Sequence, residues 1–195
     1  MASSSSSSSS SSDLMKLPER RNYYDVFVSF QGKDTRLNFT DHLFTAFKKK
    51  HVSAFRDESD LQQGESIAPE LLRAIQDSRV FVVVFSRNYA SSTWCLQELE
   101  KICECAQVSK KYVLPVFYDI DPADVRHQRG IYRKAFAKHV QRFQQQSEKV
   151  RRWRKALTHL ANCSGWDLCH KSQSAAIRKI VGRIKIYYIA DLPVF

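Results

Sequence analysis

The sequence lacks the hydrophobic segments that would place the chain in a membrane or export it. No apolar run approaches the roughly 18 residues that a membrane-spanning helix needs. The first residues also lack the charged start and apolar core of a secretory signal. We therefore expect an intracellular protein without a membrane partner, located in the cytoplasm, with the nucleus as the alternative.

The sequence also lacks the patterns that build metal sites, disulfide frameworks or nucleotide-phosphate loops. The cysteines are odd in number and follow neither a zinc nor a disulfide spacing: Cys95, Cys103, Cys105, Cys163 and Cys169. The six histidines are scattered. No glycine-rich P-loop occurs, which argues against an NTPase domain. We predict reduced cysteines, no metal site and no resident cofactor.

Negative charge is scarce. The chain has 31 Lys and Arg residues against 20 Asp and Glu residues, a net charge of +11. Many of the cations lie between Arg126 and Lys155. This stretch fits a solvated helix face, and the alternative is a surface that attracts nucleic acid or an anionic membrane. The absence of interleaved aromatics and of a nucleic-acid motif favours the solvated face.

What is present has the size of one ordinary domain with tails. An unbroken serine tract, Ser3–Ser12, cannot bury apolar surface and is predicted to be disordered. We divide the chain into a serine-rich disordered tail (1–21), one folded domain (22–188) and a C-terminal tail (189–195).

Strand and helix patterns alternate through the folded part, which predicts an α/β fold with a parallel sheet between helices. The predicted strands are Tyr24–Phe30, Val52–Phe55, Arg79–Ser86, Tyr112–Tyr118 and Trp166–Leu168. The predicted helices are Thr35–Lys50, Ser66–Asp77, Thr93–Gln107, one within Pro122–Gln146, Glu148–Cys163 and Ala175–Tyr187. The third strand is the most apolar, so we expect it at the centre of the sheet.

The loop after the first strand is a candidate ligand site. Gly32 interrupts the apolar run, and Asp34 or Thr35 could cap the following helix. Open α/β sheets bind ligands at the carboxyl ends of their strands. We therefore expect a binding cleft at this end of the first strand.

Several segments, in order, resemble plant TIR (Toll/interleukin-1 receptor) domains. They are YDVFVSFQGKDTR (Tyr24–Arg36), FRDESDLQQGESIAPELLRAI (Phe55–Ile75), VVFSRNYASSTWCLQEL (Val83–Leu99), LPVFYDIDPADVRHQRG (Leu114–Gly130) and RWRKALTHLANCSGW (Arg152–Trp166). The resemblance implies a flavodoxin-like, five-stranded parallel sheet. In the first loop this chain has Gln31 where the family usually has Arg, and Lys33 where it usually has Glu.

The resemblance also implies a site for NAD⁺, as a substrate rather than a bound cofactor. Glu98 matches the glutamate of the family motif WCxxEL, which is the catalytic carboxylate in TIR domains that cleave the nicotinamide–ribose bond. From its position alone, Glu98 would be read as a partner of the helix dipole. The predicted contacts to the dinucleotide are Phe30, Gln31, Gly32, Arg36, Trp94 and Cys95.

A lone carboxylate suits this reaction. Nicotinamide leaves with its ring charge neutralised, so it needs no general acid, and a nearby negative charge stabilises the oxocarbenium-like ribose. In the family, the cysteine that matches Cys95 is also implicated in making cyclic nucleotides from nucleic acid. The alternative interpretations are packing for Trp94 and Cys95 and a surface ion pair for Arg36.

The resemblance further implies self-association. Asp41 and His42 occupy a position that belongs to one family interface, and Gly165 occupies a position that belongs to another. The loop Asp57–Gly64 is expected to touch a neighbouring subunit. Taken alone, a helix histidine is more often a surface residue, and a glycine is often a helix cap.

The prediction from the sequence is a plant TIR domain of intracellular immunity that acts as an NAD⁺ glycohydrolase when oligomerised. One alternative is a non-catalytic adaptor that recruits other TIR domains, and another is a nucleic-acid-processing TIR domain. The last residues, KIYYIADLPVF, depart from the usual family linker and suggest a truncated or TIR-only form.

Overall fold

The computed structural model describes residues 24–56 and 69–190, which form a parallel β-sheet between two layers of helices. The strands are β1 Tyr24–Phe30, β2 Ala54–Arg56, β3 Ser78–Phe85, β4 Tyr112–Phe117 and β5 Trp166–Asp167. All neighbours are parallel, in the order β2-β1-β3-β4-β5. The predicted five-stranded parallel sheet is confirmed, and the most apolar strand lies at its centre as expected.

The helices follow the predicted alternation with shifted ends. They are α1 Gly32–Thr35, α2 Phe39–Lys49, α3 Pro69–Asp77, α4 Thr93–Ser109, α5 Pro122–Arg126, α6 Gly130–Arg142, α7 Ser147–Ala161 and α8 Gln173–Ala190. Short 3-10 turns lie at Tyr89–Ser91 and Gln144–Gln146. Within the described ranges, no helix combines the length and apolarity that crossing a bilayer requires.

Each face of the sheet packs into a separate apolar core, and β1 contributes side chains to both cores. Successive side chains of a strand point to opposite faces. Phe27 therefore packs with residues of α3, α4, α6 and α7. Val26, Val28 and Phe30 pack with residues of α2 and α8. The core that contains Phe27 is the first core, and the core that contains Val26, Val28 and Phe30 is the second core.

The start of the first long helix differs from the prediction. Helix α2 begins at Phe39, and its N-cap is Asn38, whose side chain accepts a hydrogen bond of 2.6 Å from the Phe39 backbone N–H. The prediction that Asp34 or Thr35 caps this helix is wrong because both residues lie in α1. The apolar residues Phe39, Leu43 and Phe47 recur every four positions along α2 and are buried.

Candidate functional site

The candidate site lies where β1 and β3 end and α4 begins. Ser92 caps α4, since its hydroxyl accepts a hydrogen bond of 3.2 Å from the Cys95 backbone N–H. Glu98 follows in the first turns of α4 and faces the sheet. The parallel pairing of β1 with β3 brings the ends of both strands to the same edge. The topology therefore brings Glu98 to the carboxyl edge of the sheet, as the sequence predicts.

The Glu98 carboxylate is buried and bonded to the strand beneath it. Glu98 is 2% exposed. The hydroxyl of Ser29, in β1, donates a hydrogen bond of 2.5 Å to its Oε2. A buried carboxylate needs such donors because removal from water strongly penalises its charge. In this conformation neighbouring residues cover the carboxylate almost completely.

A buried tyrosine extends this contact. The Tyr89 hydroxyl lies 2.8 Å from the Ser29 hydroxyl and 3.2 Å from the Cys95 carbonyl, to which it can donate. Burial, followed by the proximity of Cys95 and Glu98, raises the pKa of Tyr89 well above its usual value. The phenol therefore stays protonated and remains available as a donor.

Asp34 ties the loop after β1 to the loop after β3. Its Oδ2 accepts hydrogen bonds from the Ser86 hydroxyl (2.5 Å) and the Asn88 backbone N–H (2.8 Å). Its Oδ1 accepts from the Asn88 side-chain amide at 2.8 Å. From the other side, the Tyr132 hydroxyl donates to the Ser86 carbonyl at 2.9 Å. These contacts hold together the two loops that border the site.

The predicted contacts in the first loop do not all lie on the side of the sheet that carries Glu98. Phe30 packs in the second core, away from Glu98, and the guanidinium of Arg36 lies 5.4 Å from its ring centroid. Gly32 is buried at the start of α1. Gln31 is half-buried, and its carbonyl accepts hydrogen bonds from the backbone N–H groups of the next turn. The Phe30 backbone contacts the α4 side of the site through its carbonyl.

The two predicted contacts on α4 lie against the same core as Glu98. Trp94 is partly buried and packs against the first core. Cys95 is buried, and its thiol donates to the Phe30 carbonyl at 3.6 Å. Both side chains therefore have a packing role, in agreement with the alternative interpretation, and their predicted ligand contacts stay predictions.

A wide groove of about 680 Å³ lies away from this site, between α4 and α7. Glu100, Cys103 and Arg152 are among its lining residues, and an ion pair of 2.5 Å joins Glu100 to Arg152. None of its lining residues is a predicted site residue. Among the described residues, no group of three or more His, Cys, Asp or Glu side chains is placed to hold a metal ion.

The predicted interface residues have different surroundings. His42 is exposed on α2, and Asp41 forms an ion pair of 3.6 Å with Arg56. A Cβ atom added at Gly165 would lie 2.1 Å from the carbonyl oxygen of Pro115 in β4. The backbone of Gly165 therefore fits closely against its own sheet. The loop Asp57–Gly64 lies outside the described residues.

The sequence interpretation missed Ser29 and Tyr89 in this site, and it considered Asp34 only as a helix cap. Ser29 was detectable in principle, since it is a polar residue inside the apolar run VFVSF. Tyr89 and Asp34 gave no comparable signal because their partners lie far away along the chain.

The fold and site define an α/β domain with a buried carboxylate at the carboxyl edge of a parallel sheet. The sequence profile of the TIR domain matches residues 23–190. The chain is 49% identical over 166 residues to disease resistance protein RPV1 of Vitis rotundifolia, and 45% identical over 162 residues to TMV resistance protein N of Nicotiana glutinosa. These matches span 85% and 83% of this chain but only 12% and 14% of the two relatives.

A solved structure agrees with this match. The TIR domains in the activated Roq1 resistosome, which directly recognizes the pathogen effector XopQ, align with a TM-score of 0.78 at 49% identity. The alignment covers 83% of this chain and 99% of that one. The chain belongs to the TIR domain family.

Proposed function

We propose that this TIR domain hydrolyses NAD⁺ at the nicotinamide–ribose bond, with Glu98 as the catalytic carboxylate. The observation that carries the proposal is the placement of Glu98. It is a buried carboxylate, hydrogen-bonded to the end of β1, at the sheet edge where α/β folds bind ligands. The family match adds the chemistry, since Glu98 stands in WCLQEL, which fits the motif of catalytic TIR domains.

The proposed reaction uses the charge of Glu98. As the bond to nicotinamide breaks, positive charge develops on the ribose, and a carboxylate held in low-dielectric surroundings stabilises it strongly. Nicotinamide takes the bonding electron pair and leaves neutral, and water then adds to the ribose and loses a proton. Gln31, Gly32 and Arg36 would approach the pyrophosphate, and Trp94 the sugar or a base.

The burial of Glu98 means that the site has to open before NAD⁺ can reach it. A competent conformer that is scarce in the lone domain lowers the apparent affinity in proportion to its population. Association of several copies would stabilise that conformer. We therefore propose that turnover depends on self-association, with His42, Asp41 and Gly165 at the interfaces. The TIR domains of the Roq1 resistosome support association as a family property.

The biological role we propose is immune signalling in a plant cell. The support is the similarity to RPV1 and to the TMV resistance protein N. The chain spans only 12% and 14% of those relatives, so the proposal does not extend to recognition of a pathogen.

The test is release of nicotinamide by purified protein over a concentration series. We expect specific activity to rise with concentration in step with association measured by sedimentation. Glu98→Ala should lower turnover at least about a hundredfold, as removal of a preorganised electrostatic group does. Glu104→Ala is the matched control, since Glu104 lies on α4 but is exposed and pairs with Lys101. Wild-type turnover by folded Glu98→Ala protein would refute the assignment.

The closed site also favours a second candidate, an adaptor that acts by TIR–TIR association without catalysis. In that case the protein would associate but release no nicotinamide at any concentration.

A nucleic-acid-processing role is favoured by the positive charge of α6 and α7. Together these helices carry nine Lys and Arg residues and one acidic residue, Glu148. Retention on DNA or RNA that weakens steeply with salt would support it.

A further inference from the structure

Ser29 is a polar residue in a strand that is otherwise built for burial. It is fully buried, and its neighbours in β1, Val28 and Phe30, belong to the second core. Strand alternation puts Ser29 on the same face as Phe27, toward α4. At this position a hydrophobic side chain would extend the first core. The serine instead places one hydroxyl directly beneath the Glu98 carboxylate.

The hydroxyl groups of Ser29 and Tyr89 beneath Glu98 form a chain of hydrogen bonds that can run in either direction. With Glu98 ionised, Ser29 donates to Oε2 and Tyr89 donates to Ser29. With Glu98 protonated, the direction reverses: Glu98 donates to Ser29, Ser29 donates to Tyr89, and Tyr89 donates to the Cys95 carbonyl. Each arrangement uses every hydroxyl hydrogen once. The chain can therefore hold the carboxyl group in one place in either protonation state.

We propose that Ser29 is a positioning residue for the Glu98 carboxylate. This inference rests on the proposed function, because it assigns the residue that orients the proposed catalytic group. A hydrogen bond of 2.5 Å from β1, a strand paired on both sides, fixes the direction of the carboxylate relative to the sheet. The negative charge is then already oriented when the ribose becomes positive, which is the condition for strong electrostatic stabilisation.

A different role for the same contact would give the opposite result. If Ser29 only held Glu98 in the closed conformation, its loss would free the carboxylate and raise turnover. If it only satisfied a buried polar group, its loss would lower stability without changing the pH dependence. Titratable groups close to the hydroxyl chain include Cys95 and Tyr132, whose ionisation would act on Tyr89.

The experiment compares Ser29→Ala with Ser29→Thr, which keeps the hydroxyl, under conditions in which the wild type is associated. For Ser29→Ala we expect kcat to fall about tenfold to a hundredfold with KM changed less than about twofold, the range for loss of one hydrogen bond to a charged group. The acid limb of the kcat profile should move to higher pH, because the hydrogen bond lost by the ionised carboxylate is charge-assisted and stronger than the one lost by the protonated form. Ser29→Thr should recover most of kcat.

Two further variants control for folding. Ser78→Ala removes another buried strand hydroxyl, which donates to the Ala74 carbonyl at 2.7 Å and lies at the opposite end of β3 from the site. It should keep the wild-type kcat and pH profile. Tyr89→Phe should change kcat and its pH profile in the same direction as Ser29→Ala, but by less. This variant tests the inference if Ser29→Ala does not fold.

A readout without turnover separates this inference from the proposed function. In ¹³C NMR of glutamate-labelled protein, with Glu98→Gln for assignment, the Glu98 carboxyl should titrate at higher pH in Ser29→Ala than in wild type. A wild type without turnover, together with this change, would remove the proposed function but keep Ser29 as the partner that orients Glu98. An active wild type whose kcat and Glu98 titration are unchanged, or whose kcat rises, in Ser29→Ala would overturn the inference.

Discussion

Replacing Gly165 by alanine should weaken the fold at the β5 edge of the sheet. The added Cβ atom would lie 2.1 Å from the Pro115 carbonyl oxygen and 2.6 Å from the Pro115 Cγ. Cβ atoms essentially never approach other atoms within 3.0 Å, so one of the two backbones has to move. Because β4 is paired on both sides, the segment that gives way should be the one leading into β5.

The cost follows from what holds β5 in place. β5 pairs with β4 through two residues, at Val116↔Trp166 and Phe117↔Asp167, and the Leu168 backbone N–H donates to the Phe117 carbonyl at 2.9 Å. Over-packing costs about 1–3 kcal/mol, and each hydrogen bond lost adds about 0.5–1.5 kcal/mol. We expect a loss of about 2–3 kcal/mol, which lowers the Tm of a domain this size by roughly 4–12 °C.

Urea unfolding of Gly165→Ala and Gly182→Ala provides the measurement and its matched control. A Cβ atom at Gly182, in α8, would meet nothing within 4 Å. In the control, Gly182→Ala, the free energy of unfolding should rise by about 0.5–1 kcal/mol, since alanine is the better helix former. Equal stability of Gly165→Ala and wild type would refute the packing argument. If the packing argument holds, a larger residue at position 165 cannot test the proposed interface on its own, since it would also disturb the sheet.

Two further substitutions test the packing around the site. Asp34→Ala should lower the free energy of unfolding by about 1–3 kcal/mol, because it leaves the Ser86 hydroxyl and the Asn88 amides without their acceptor. Urea unfolding measures this, and an unchanged midpoint would contradict the proposed link between the loops. For His139, burial lowers the pKa. The hydrogen bond to the Ala90 backbone raises the pKa in part, and the charges of Arg142 and Arg154 lower it further. The unfolded chain therefore takes up the proton first, near pH 6.5, so stability should be constant above about pH 6.5 and fall as the pH drops toward the folded pKa. His139→Gln should flatten this dependence in urea midpoints between about pH 7.5 and pH 5.5.

The parts of the fold that depend on local pattern could be predicted from the sequence. The central place of β3 follows from its uninterrupted apolar run. The buried face of α2 follows from the four-residue spacing of Phe39, Leu43 and Phe47. The start of α2 could not be predicted from the local pattern because several nearby residues can cap a helix, and Asn38 rather than Asp34 does so.

The partners within the site could not be predicted, because they depend on distant segments. Ser29 and Glu98 lie 69 residues apart, and Asp34 and Asn88 lie 54 apart. Their contacts depend on the register of β1 against β3 and on the rotation of α4, which no local pattern specifies. The family resemblance singled out Glu98, yet a motif gives no information about whether its carboxylate is exposed or covered.

The short edge strands limit how copies of this domain can meet. Among the described residues, β2 has three residues and β5 has two. A neighbouring chain that tried to extend the sheet would find little unpaired backbone to bond, which protects against edge-to-edge aggregation. Any assembly would instead depend on side chains of helices and loops. Such contacts can be made and broken without remodelling a sheet, and single surface substitutions can tune their strength.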